Sequence, residues 1–198
     1  MFKIRPLTQQ HYAPPNPFVR GLMALARSCK LIGFLLLMSL PNFSAAQMGE
    51  NNEAALKVAF LFNFFKFIDW PETDVTYYRL CLSSSDDLGN SLDVLTGKVI
   101  KNKPLQIVRN IAVKDLKTCH ILFISPNDNV GSYLKDSKKL PIVTISDQSG
   151  FIDQGGTLGL IHDGTRLGFE VNLDAANTNA IRISAQLLKL AKTVTNSK

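Results

Sequence analysis

Two histidines, His120 and His162, and two cysteines, Cys81 and Cys119, are the residues of the main body of this chain best able to do chemistry. A histidine can move a proton near neutral pH or ligate a metal, but a metal site needs partners at a spacing such as His-x-x-x-His. Neither histidine has one, so each reads as a satisfied or exposed side chain, with no metal and no cofactor expected. The carboxylates Asp147, Asp153 and Asp163 flank loops, as turn-forming aspartates do. Gly155-Gly156-Thr157-Leu158-Gly159 looks superficially like a phosphate cradle, yet it leads into a strand, whereas such a cradle must open a helix whose amides face the anion. It is read as a turn. With no Gly-x-Ser-x-Gly elbow and no Walker sequence either, no catalytic constellation emerges and the chain is not expected to be an enzyme.

The cysteines lack the Cys-x-x-Cys spacing that lets one thiol resolve the other, which argues against a catalytic dithiol. Both stand in apolar, strand-like runs, Leu80-Cys81-Leu82 and Cys119-His120-Ile121-Leu122. Two readings stay open at this point: a disulfide tying neighbouring strands, or a pair of buried free thiols. A bridge closing a loop of this length is worth about 4 kcal/mol in the chain-entropy picture.

The elements that must position these residues follow from periodicity. Residues 53–68 read as a helix ended by Trp70-Pro71, with apolar side chains at almost every position and only Lys57, Asn63 and Lys66 as a thin polar margin. Such a helix is either buried on several sides or offers a face to another protein. A strand at 77–83 precedes a helix at 87–96 for which Asp86 is a candidate cap. Strands at 105–109, 119–125 and 140–146 enclose a helix at 127–138. Two further strands, 157–161 and 166–172, face each other across the Asp163-Gly164 turn as a hairpin, and a long helix is expected over 174–194. Strands alternating with helices imply a compact three-layer α/β domain with a mainly parallel, Rossmann-like sheet, an antiparallel C-terminal hairpin and a final long helix. Within the strand at 166–172, alternation places Glu170 among Arg166, Gly168 and Asn172, opposite Leu167, Phe169 and Val171. Glu170 is thus either a solvated or paired carboxylate or a polar contact for a partner, and Asn172 and Asp174 are placed to cap the last helix.

Charge is distributed unevenly. Of 22 Lys and Arg residues, five lie before residue 46, while all 16 Asp and Glu residues lie after it. Arg27 and Lys30 lead into an apolar run at 31–40 that is too short to cross a bilayer and matches a signal-peptide core. Small residues Ser44, Ala45 and Ala46 follow, which places cleavage before Gln47. An uncleaved anchor is the alternative. Residues 1–22 lengthen the basic region, so translation starting at Met23 is also open, and Cys29 precedes the apolar run and would leave with the leader. The remaining 152 residues form one expected domain with a net charge of +1, so the pI of 9.3 belongs largely to the leader and gives no argument for nucleic-acid binding. No second apolar run reaches the length of a membrane span.

The helix run Ala55-Leu56-Lys57-Val58-Ala59-Phe60-Leu61-Phe62-Asn63-Phe64-Phe65-Lys66-Phe67 before Trp70-Pro71, and Cys119-His120-Ile121-Leu122-Phe123-Ile124-Ser125, carry a resemblance. So do Pro141-Ile142-Val143-Thr144-Ile145-Ser146-Asp147, Phe151 with Gly155-Gly156, Phe169-Glu170-Val171-Asn172 and Ser184-Ala185-Gln186-Leu187-Leu188-Lys189-Leu190-Ala191. In this order the blocks are similar to those of the YfiR-like family of periplasmic proteins. The resemblance implies a periplasmic negative regulator without enzymatic activity, holding an inner-membrane diguanylate cyclase in check through its periplasmic region. It further implies that an outer-membrane lipoprotein can compete for it, with cyclic di-GMP, biofilm and motility downstream. Cys81 and Cys119 match a disulfide pair of the family, while a second pair known in the family has no counterpart here. The expected partner-binding residues are Phe60, Phe64, Phe67 and Trp70 as aromatic anchors, with Glu170 setting specificity. A homodimer and a small-ligand sensor acting on another membrane receptor are the other readings left open.

Overall fold

A computed structural model of the chain describes residues 46–71, 74–83, 88–163 and 166–196. The leader before Ala46, the start at Met23 and the cap at Asp86 lie outside the described residues. Helix α1 (Ala46–Phe67) comes first, followed by β1 (Ile68–Asp69) and β2 (Tyr78–Leu82). A 3-10 helix (Gly89–Leu95), β3 (Val99–Ile100), β4 (Lys103–Val108), a second 3-10 helix (Val113–Thr118) and β5 (Ile121–Phe123) lead to α2 (Val130–Ser137). After β6 (Val143–Ser146), the hairpin β7 (Leu158–Asp163) and β8 (Arg166–Asn172) precede α3 (Leu173–Thr178). The chain then forms β9 (Arg182–Ile183), α4 (Ala185–Leu188) and β10 (Thr193–Thr195).

The fold is mixed α/β, built on a mainly parallel eight-stranded sheet in the order β10-β8-β7-β6-β5-β2-β4-β3. Strands β4, β2, β5, β6 and β7 run parallel, β7 and β8 pair antiparallel through six residue pairs, and β3 folds back on β4. Alternation along the central strands sends side chains to two separate apolar clusters. Leu80, Leu82, Ile121, Phe123, Val143 and Ile145 join α1, while Cys81, Leu122 and Ile124 join Leu116, Val130, Tyr133 and Phe151. Both faces of the parallel strands are therefore covered, as near-continuous apolar strands require.

The long final helix expected over 174–194 does not form, and over 88–96, the described part of the helix expected at 87–96, the chain makes a 3-10 helix (Gly89–Leu95) instead. Helix α3 is opened by Asn172, whose side chain accepts the Ala175 amide, and it stops at Asn179, after which Ala180 takes a left-handed φ of 57°. Asn177, Thr178 and Asn179 are weak helix formers because their side chains compete for backbone hydrogen bonds. The break also redirects Ile181 into the core and lets Ile183 pair with Ile68 of β1, burial that a continuous helix would forfeit. The segment at 155–159 is the expected turn into β7. Gly155 has φ 97°, and a Cβ on Gly156 would lie 2.1 Å from the Phe151 ring, so only glycine lets the backbone pass over that ring.

Candidate partner-docking surface

Helix α1 lies against the sheet by one face, with Val58, Leu61, Phe64, Phe65 and Ile68 buried at the spacing of a single stripe. Phe60, Phe62 and Phe67 are half-buried along its flanks. The opposite face is open: Asn52, Ala55, Leu56, Ala59, Asn63 and Lys66 are exposed, with Leu56 at 45%. The helix thus does both things its composition allowed, packing on the core and leaving one face of small and apolar side chains uncovered.

The five expected contact residues are distributed unevenly. Phe60 and Phe64 form a ring triangle with Phe169 of β8, with centroids 5.2 to 5.9 Å apart, and Phe64 is only 1% exposed. Trp70 is buried at the far end of α1, where it packs against Phe65, Tyr78 and His120 and donates its indole N–H to the His120 carbonyl at 3.1 Å. Phe67 sits one turn before it, and its carbonyl accepts the Ser184 amide. Glu170 points to the other face of β8, half-buried beside Gly159 and away from the ring triangle. The structure therefore brings Phe60 and Phe64 together, places Phe67 and Trp70 at the helix end, and separates Glu170 from all four.

Beside Trp70 opens a cavity of about 310 Å³ lined by Pro71, Asp74, Tyr77, Lys117, His120 and Pro141 among others. The His120 Nδ1 accepts the Arg79 backbone N–H at 3.1 Å, which places the ring proton on Nε2. Burial, reinforced by the Arg79 charge, pushes this imidazole down to about 4, so it is neutral at physiological pH. His162, by contrast, is exposed at the end of β7 and lies 3.3 Å from the Glu53 carboxylate.

Lys57, read from the sequence only as part of the helix's thin polar margin, is in fact buried and paired. Only 7% exposed, it bonds Asp147 at the end of β6 at 2.5 Å and Glu53 one turn earlier at 2.8 Å. Burial alone would lower its pKa, but the bonds to Asp147 and Glu53 outweigh that and hold the ammonium above the ordinary lysine value. The signal available beforehand was one lysine on an otherwise apolar helix stripe with a glutamate four residues earlier. Cys81 and Cys119 form a disulfide that staples β2 to the end of the second 3-10 helix, two residues before β5, so the free-thiol reading falls.

These features define a class: a disulfide-stapled α/β domain in which one aromatic helix is pinned to the sheet and exposes a narrow face, with no group of three or more candidate metal ligands among the described residues. The family profile described as YfiR/HmsC-like matches residues 54–192, and the chain belongs to that family. No curated protein matches the sequence. Among solved structures, the chain is similar to a conserved domain protein from Vibrio cholerae O1 biovar El Tor strain N16961, at 10% identity and a TM-score of 0.46. It is also similar to an ABC domain in complex with L-Trp from Streptococcus pneumonia, at 11% identity and a TM-score of 0.47. Each alignment covers 72% of this chain, which spans 60% of the length of either solved chain. Among the described residues no helix is long and apolar enough to cross a membrane.

Proposed function

We propose that this protein is a periplasmic regulator that binds the periplasmic region of an inner-membrane diguanylate cyclase and restrains it, lowering cyclic di-GMP. The observation that carries this reading is membership of the YfiR/HmsC-like family over residues 54–192. It acts by occupancy and not by catalysis, and an outer-membrane lipoprotein competing for the same surface releases the cyclase. The exposed stripe of α1, with Leu56 and the half-buried Phe60 and Phe67 at its margins, supplies the apolar contact area. Phe64 and Trp70 act from beneath, holding Phe60 and the helix end in place, while Glu170 marks a separate polar contact on the other face of β8.

The decisive experiment removes the gene from its host and restores it with and without the leader. A rise in cyclic di-GMP reversed only by the exported form is expected, and an unchanged level in the deletion strain would sink the reading. On the purified protein, Phe60→Ala should weaken cyclase binding by more than its loss of packing on Phe64 and Phe169 lowers stability, because its ring is only half-buried. Phe64→Ala should lower stability by about 3–5 kcal/mol, as large-to-small changes at buried aromatics do.

A second reading, a small-ligand sensor acting on another membrane receptor, is favoured by the cavity beside Trp70, where the Nε2–H of a neutral His120 meets an aromatic wall. A ligand-dependent rise in melting temperature that disappears in His120→Ala would support it.

A further inference from the structure

We draw no further inference here: the strongest candidate, the free edge of the sheet at β10, where Val194 and the nearby Leu190 are exposed, is an unpartnered apolar edge, and nothing in the structure shows what covers it.

Discussion

Lys57 of α1 and Asp147, ninety residues later at the end of β6, meet at 2.5 Å with both side chains largely withdrawn from solvent. The contact ties the helix that opens the domain to the middle of its sheet. One carboxylate oxygen, Asp147 Oδ1, is buried without a hydrogen-bond partner among the described residues, and Lys57 bonds the other. Replacing Lys57 by Met leaves Asp147 buried and uncompensated, and should cost about 3–5 kcal/mol by denaturant unfolding. Lys57→Met with Asp147→Leu should recover most of that loss, because the pair's own desolvation is then removed as well. Equal destabilisation in the single and double variants would show that the pair does not carry the contact.

Gly156 gives a second, steric prediction. A methyl group there meets three carbons of the Phe151 ring at 2.1 to 2.5 Å, and the ring is 1% exposed with no room to retreat. Gly156→Ala should destabilise the domain by about 1–3 kcal/mol, the usual range for overpacking. Trimming the ring with Phe151→Leu in the same chain should restore part of it; no coupling between the two changes in a double-mutant cycle would place the strain elsewhere.

The disulfide predicts a redox-dependent stability. Cys81 and Cys119 are separated by 38 residues in sequence, and opening that loop in the unfolded chain corresponds to about 4 kcal/mol. The Cys81→Ala/Cys119→Ala variant, or the wild type under strong reductant, should melt markedly lower than the oxidised protein. Coincident melting curves in oxidant and reductant would show that the bridge contributes nothing to stability.

Acid should weaken the fold through His120. Its folded value of about 4 lies below the ordinary 6.5, so the unfolded chain takes up a proton first as pH falls. The stability this group contributes is present above about pH 6.5 and is lost between there and about pH 4. Its partial exposure screens the effect below what the shift alone implies. His120→Asn, which keeps an acceptor for the Arg79 amide, should flatten the decline between pH 6.5 and 4. Glu53 and Asp69 act in the same direction at lower pH. The bond from Lys57 holds Glu53 below its ordinary value against opposing burial, the bond from Lys101 does so for Asp69, and both contributions vanish as these carboxylates protonate. A decline in His120→Asn as steep as in the wild type would assign the acid sensitivity to other groups.

The alternating faces of the strand that carries Phe169 and Glu170, the turn at Gly155 and Gly156, and the helix that ends before Trp70 were legible because each is a local pattern, whereas which side of that all-round apolar helix is buried was not. Period-two and period-3.6 burial follow directly from backbone geometry, whatever else the chain does. The long C-terminal helix was misread for the converse reason. Apolar residues at 176, 180, 183, 187 and 190 satisfy helical spacing, yet Ile181 and Ile183 gain more by reaching the core and pairing with β1 than a helix could give them. Tertiary packing overrides a local period whenever the burial it offers is larger.

What the amino-acid sequence by itself determined was the α/β alternation, the helix-first order and the ordered motifs that place the chain in its family, all of which depend on neighbours within a few residues. Only the tertiary structure decided that Glu170 faces away from the aromatic residues of α1, that Phe64 and Trp70 are buried while Phe60 is half-open, and that Lys57 finds Asp147. These relations join residues dozens of positions apart, and only sheet register and helix docking, acting through burial and electrostatics at a distance in sequence, bring them into contact or keep them apart.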